Sequence, residues 1–249
     1  MIVKTDLILQ RLSELFPEEK NEIETKFDFN KILKFYEFLQ KENLRGGFFS
    51  KKDTENILER HLIESIYHVY RIVKEVSVSR ETKLADVGTG PGLPGFLFYC
   101  LLEFPKVTLI DSQRRKLSLL EKFAKEEKFS EIQFIYSRAE EKVCKKFDII
   151  VTRSVVSYPW SAEVCINLLN ENGYFIPFLG KFIQKKEDEI YLENLGLNFK
   201  KVVRLSALGF LGERHLIFLK KTAKIKQGYP RSWKSIKEEM RHNGEDNLN

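Results

Sequence analysis

Cysteine is scarce in this chain. There are three, Cys100, Cys144 and Cys165, an odd number set far apart in otherwise apolar periodic segments. That spacing excludes a disulfide framework and a zinc site, and leaves buried, reduced thiols as the expectation. Long apolar runs are missing too, since none approaches the roughly 18 residues that suggest a bilayer span. The opening stretch MIVKTDLILQRLSELF interleaves charged and apolar residues and has no continuous signal-peptide core, so a cytoplasmic protein without a membrane partner is expected. No internal repeat occurs. Charge of one sign is not dominant either: the net charge is +6, yet 31% of residues are charged and opposite signs alternate over most of the chain. With a pI near 9.0, that balance permits a polyanionic partner without requiring one. What is present is 43% hydrophobic residues in 249, enough for one substantial core, or one large and one small.

Residues 1–80 read as a helical cap. Leu7, Ile8, Leu12, Leu15 and Phe16 form one stripe at helical spacing, with Thr5 or Asp6 as the cap. Ile32, Leu33, Phe35, Tyr36 and Leu39 form a second, and Asp53 is placed to cap a third helix carrying Ile57, Leu58, Leu62, Ile66, Val69 and Ile72. Gly46 and Gly47 mark a loop between the last two.

From residue 81 the period changes. Strands are expected at 84–88, 106–111, 132–137, 147–153, 173–179, 200–206 and 215–220. Helical patterns separate the first five, which indicates an α/β, Rossmann-like, doubly wound sheet with parallel strands. A short glycine-bearing connection separates the last two, so they pair as an antiparallel hairpin. A domain over 81–221 and a basic tail over 222–249 follow. The tail is rich in lysine and arginine beside Tyr229 and Trp233, and is open to two readings, a solvated terminus or an RNA-contacting arm.

The stretch LADVGTGPGLPGF at 84–96 fits two cofactors. Residues 90–95 match the dinucleotide pattern G-x-G-x-x-G after a strand and before a helix expected to open at Leu93. Asp111 closes the second strand and suits ribose hydroxyls, which nicotinamide dinucleotides and S-adenosylmethionine share. Asp86 separates them: a carboxylate at the strand end repels a pyrophosphate and attracts the ammonium of S-adenosylmethionine. Pro91 and Pro94 also remove N–H donors that a pyrophosphate would use. The methyl donor fits better, and the sheet is then that of a class I methyltransferase. The turn at Ser137-Arg138-Ala139-Glu140 is expected over the adenine, with Ser137 and Glu140 also able to form a capping box.

The run DVGTGPGLPG at 86–95 resembles a known family, the bacterial small-subunit ribosomal RNA guanine-N7 methyltransferases, also called glucose-inhibited division protein B. RHLIES at 60–65, IDS at 110–112, SRAEE at 137–141, TRS at 152–154, GERHL at 212–216 and YPR at 229–231 extend the resemblance over most of the chain. It implies cofactor contacts from Gly88, Leu93, Ala139, Glu140 and Arg153, with Asp86, Gly90 and Asp111 in support. It also implies 16S ribosomal RNA, or the small subunit, as substrate. Leu179-Gly180-Lys181 departs from the family, in which a lysine precedes the glycine.

Guanine N7 has a lone pair and no proton, so in-line methyl transfer needs no general base, only alignment. Arg153, at the carboxyl end of the fourth strand, is the expected catalytic residue. Arg115, Lys116, His61 and His215 are weaker candidates for RNA contact, and neither of these histidines has metal-site spacing. Phe48 and Phe49 are candidates for base stacking. A monomer without metal is expected. Alternatives are a small-molecule methyltransferase, a nicotinamide-dependent oxidoreductase and a catalytically silent RNA-binding protein.

Overall fold

The structure is a computed structural model that describes residues 4–141 and 145–244, without the side chains of 4, 5 and 51–53. Cys144 and the capping side chains of Thr5 and Asp53 lie outside the described residues.

The cap opens with α1, Lys4–Leu15. Asp6 falls in its first turn rather than at its cap, where a carboxylate still favours the amino-terminal dipole. Helix α2, Lys20–Lys26, was not expected, because it buries only Ile23 and so shows no apolar stripe. Helix α3 spans Phe29–Gly46, capped by the Asp28 carboxylate accepting from the N–H groups of Asn30 and Lys31. The expected third helix is composite: a 3-10 turn over Lys51–Asn56, a π-helical segment over Ile57–Ile63, then α4, Glu64–Glu75. The wider π turn sits where the cap meets the candidate site, a frequent place for such a turn.

The sheet and its helices alternate as β1 (Lys83–Val87), α5 (Gly95–Tyr99), β2 (Lys106–Ile110), α6 (Arg114–Glu126), β3 (Gln133–Ile135), β4 (Phe147–Arg153), α7 (Trp160–Cys165), β5 (Leu169–Leu179), α8 (Lys186–Asn194), β6 (Leu197–Arg204) and β7 (His215–Lys221). Strand order is β3-β2-β1-β4-β5-β7-β6. The first five strands are parallel, and β7 runs antiparallel to both β5 and β6. The hairpin connection holds a 3-10 turn, Ser206–Leu211. Order reverses between β1 and β4, so their carboxyl ends open a crevice.

Side chains alternate between two apolar layers. Leu84, Leu109 and Val151 pack with the cap, α5 and α6, whereas Ala85, Ile110 and Ile150 pack with α7 and α8. Cap and sheet therefore share one core. The second layer includes Ile236 and Met240 of α9, Trp233–His242, so the tail carries an ordered helix with a buried face. Cys100 and Cys165 are buried free thiols, and burial pushes both up from the ordinary thiol range. Among the described residues, no helix is long and apolar enough to cross a membrane.

Candidate active site

The glycine loop is held from inside. Asp86 is fully buried; its Oδ2 accepts from Thr89 Oγ1 at 2.6 Å and from the Gly95 N–H at 2.7 Å. Burial pushes its carboxyl up to about 7, partly offset by those two donors. It lines neither of the cavities described below, so its placement is that of a loop clamp, not of a group facing a ligand's ammonium.

The helix after the loop opens at Gly95, two residues later than expected, and its N–H groups are not vacant. Gly88 and Thr89 donate to the Ile110 carbonyl, Gly92 and Leu93 to that of Thr89, Gly90 to Asp111 and Gly95 to Asp86. Pro91 and Pro94 have no N–H. Every amide hydrogen from Gly88 to Gly95 is thus bonded within the protein.

Two cavities adjoin at this loop and share Gly88, Asp111, Ser112 and Val155. The larger, about 480 Å³, is lined by Ala139 and Glu140. The second, about 370 Å³, is lined by Gly90, Leu93, Lys116, His61, Phe49 and Arg153. Both volumes lie within the range of small-molecule sites. Gly88, with φ +71°, marks the junction; a Cβ there would collide with Cγ2 of Val155, so only glycine keeps the passage. Ser154, directly before Val155, has φ +56°, a strained conformation for a non-glycine residue.

Asp111 directly follows β2, its Oδ2 accepting from the Gly90 N–H and its Oδ1 from the Gln113 N–H, both at 2.7 Å. A carboxylate has about four lone-pair sites, so both oxygens keep capacity for ribose hydroxyls. In the 137–141 turn, Ser137 Oγ donates to Glu141 at 2.7 Å, so the side chain paired with Ser137 is Glu141 and not Glu140. Glu140 is left exposed at the cavity, beside buried Ala139.

Arg153 is the hub between sheet and cap. Its Nη1 donates to Ser65 Oγ at 2.9 Å, and its Nη2 to the Arg60 carbonyl at 3.1 Å and Glu64 Oε2 at 2.9 Å. His61 Nδ1 lies 3.3 Å from the same nitrogen. All four partners come from RHLIES. Glu64, almost wholly buried, also accepts from Arg214 of GERHL. Burial alone would raise the Glu64 carboxyl, but Arg153, His68 and Arg214 hold it below the usual range. His68 stacks on Phe178 at 4.4 Å, and its burial pushes the imidazole down to about 4.

The weaker candidates divide. His61 stacks on Phe49 at 4.0 Å and, with Lys116, faces the second cavity. Arg115 is exposed and donates to the Gly46 carbonyl at 3.2 Å, bridging α6 to the cap. His215 is buried away from both cavities; its Nδ1 lies 2.7 Å from the Gly180 carbonyl, bracing the loop that departs from the family. Phe48, buried against Phe38, and Phe49, stacked on His61, both line the second cavity. Glu64, Ser65, Arg214 and Val155 were not singled out from sequence; the first three lie in the RHLIES and GERHL segments, where periodicity registers only apolar neighbours.

The strand order, the crevice at the β1–β4 reversal and the paired cavities define a Rossmann-like fold of the S-adenosylmethionine-dependent methyltransferase class. The same fold occurs in magnesium protoporphyrin IX methyltransferase from Synechocystis PCC 6803, solved with bound S-adenosylmethionine, with a TM-score of 0.55 and 14% identity over 74% of this chain and 90% of that one. The chain belongs to the GidB family, rRNA small subunit methyltransferase G, whose family model matches residues 28–217. The ribosomal RNA small subunit methyltransferase G of Leptospira interrogans is 46% identical over 97% of this chain and 95% of its own length. That of Clostridium botulinum is 27% identical over 85% and 90%.

Proposed function

We propose that this protein, in the cytoplasm, transfers a methyl group from S-adenosylmethionine to N7 of a guanine in a loop of 16S ribosomal RNA. Two cavities meeting at Gly88, with Arg153 facing only the second, carry this reading: they separate a place for adenosine from a place for the acceptor base. The bonded amides of the 88–95 loop speak against a dinucleotide, whose pyrophosphate needs donors there. Asp111 holds the ribose, and the Ala139–Glu140 turn borders the adenine. When bound, the cofactor supplies a methyl group activated on a sulfonium.

The acceptor side is built for alignment. A-form RNA hides guanine N7 in a narrow groove, so the base enters unpaired. Phe49, backed by His61, offers it a stacking face, and Arg153 offers donors to guanine O6 or to the cofactor carboxylate. Proton removal is not required, so the roles of Arg153 and its cap partners are positioning and charge stabilisation. Residues 1–80 act as the acceptor-side cap, 81–221 as the catalytic domain, and the protein works as a monomer without metal. Lys116 at the second cavity, and the exposed Arg115 beside it on α6, supply phosphate contacts.

The test is incubation with methyl-labelled S-adenosylmethionine and small ribosomal subunits from cells lacking their own 7-methylguanine activity, followed by digestion. Label in 7-methylguanosine at one loop position is expected. Label in another nucleoside overturns the N7 assignment, and unlabelled RNA overturns the ribosomal substrate.

A further inference from the structure

The larger cavity is not closed by the sheet domain alone. Its outer side is α9, from which Trp233, Lys237 and Arg241 line it together with the Ser137–Glu140 turn. Those residues stand four apart, on one face of the helix. The adjacent face buries Ile236 and Met240 in the second core layer, which fixes the rotation of the helix about its axis.

The approach to α9 is anchored as firmly. Arg231 of YPR donates from its backbone N–H to Glu163 Oε1 at 2.6 Å and from Nη2 to Glu163 Oε2 at 2.9 Å. The Glu163 side chain is fully buried, and Tyr191 also donates to it. Arg231 Nη2 reaches Glu239 Oε2 at 2.7 Å, and Trp160 Nε1 donates to that oxygen at 2.7 Å. Ser232 then caps the helix through the Ser235 N–H. A buried carboxylate held this way ties the tail to α7 and α8, so the basic residues of this segment are not on a free arm. Arg231 is engaged with Glu163 and Glu239, and Lys226 with Asn194.

We propose that α9 is the outer wall of the adenosine half of the cofactor site: Trp233 lies against the adenosine, while Lys237 and Arg241 donate to its acceptor atoms. This rests on the S-adenosylmethionine reading. Lysine and arginine side chains only donate, and adenine ring nitrogens and ribose oxygens accept. Lys237 Nζ stands 5.9 Å from the Trp233 ring centroid, and both side chains line the cavity. The basic tail then acts on cofactor affinity and not on RNA affinity.

Calorimetric titration of the full chain with S-adenosylhomocysteine, beside binding of a 16S RNA fragment, tests this. Trp233→Ala and the double variant Lys237→Ala/Arg241→Ala are expected to weaken S-adenosylhomocysteine binding about fivefold or more, with RNA affinity kept within about twofold. Lys237 and Arg241 lie outside the core, so the double variant keeps the fold, which the unfolding midpoint checks. Trp233→Phe preserves the packing and should abolish the change in tryptophan emission that S-adenosylhomocysteine causes in the native chain. Unchanged S-adenosylhomocysteine affinity in both alanine variants overturns the proposal, as does reduced RNA affinity with cofactor affinity intact. A native chain that binds no S-adenosylhomocysteine overturns the cofactor reading itself.

Discussion

Arg153 Nη2 lies 2.9 Å from Glu64 Oε2, joining the carboxyl end of β4 to the first turn of α4. The Glu64 side chain is 4% exposed and that of Arg153 20%, so the pair is largely shielded from solvent while the guanidinium borders the second cavity. The cap thereby aims the arginine. A residue aimed by a second element is sensitive to that element even when no ligand touches it.

Replacing Glu64 by Gln leaves the shape but removes the charge shared by Arg153 and Arg214. Breaking such a pair is expected to reduce unfolding stability by about 3 kcal/mol. Turnover is expected to fall about tenfold with S-adenosylhomocysteine affinity changed less, because the proposed reading puts the displaced arginine on the acceptor side. Denaturant unfolding and single-turnover methyl transfer check this; native turnover in the variant would detach Arg153 from Glu64 functionally.

Asp111→Asn turns an amide nitrogen toward one of two N–H groups, Gly90 or Gln113, that the carboxylate now satisfies. Loss of one charge-assisted bond at this position is worth about 1.5 kcal/mol or more, so S-adenosylhomocysteine should bind about tenfold more weakly. Calorimetry reads the effect directly.

Gly88→Ala places a methyl group on Val155 Cγ2 and puts an L side chain at φ +71°. Overpacking and backbone strain together should destabilise the protein by about 1–3 kcal/mol. Adding Val155→Ala should recover the collision part and leave the strain. A double-mutant cycle on unfolding free energy measures the coupling, and additivity of the two changes would contradict the contact.

His68 should withdraw stability in mild acid, against Asp86, whose raised carboxyl, about 7, adds stability over the same range, so the His68 part is read as a difference from a His68 variant. The folded-state value of His68, about 4, lies below the ordinary 6.5, so the unfolded chain takes up the proton first. The contribution is present above pH 6.5 and disappears as pH falls toward 4, by about 3 kcal/mol over that window. Unfolding curves of the native chain and His68→Gln between these pH values should converge with acidification; parallel curves would refute the assignment.

Legibility from sequence followed the kind of force involved. Strand β4 was read at its observed limits, 147–153, because seven consecutive residues carry one apolar pattern. Helix α2 was not, since one buried isoleucine in seven residues leaves no periodicity. The glycine loop, Asp111, the 137–140 turn and Arg153, expected from strand ends and glycines that announce themselves locally, border the two cavities. Asp86 was found at its position, but its burial was not legible: the donors that close around it come from Thr89 and Gly95, after the chain has folded back.

The sequence by itself determined the layered α/β sheet, the terminal hairpin and the loop at which a cofactor is expected, since these depend on apolar period and on residues adjacent in the chain. Tertiary structure alone decided what the polar residues do. Arg153 meets Ser65 across 88 positions, and Arg231 reaches Glu163 across 68. It also brought the basic tail onto the larger cavity. Such pairings are selected by which elements the sheet brings together, and the cost of leaving a buried charge alone then makes each of them obligatory.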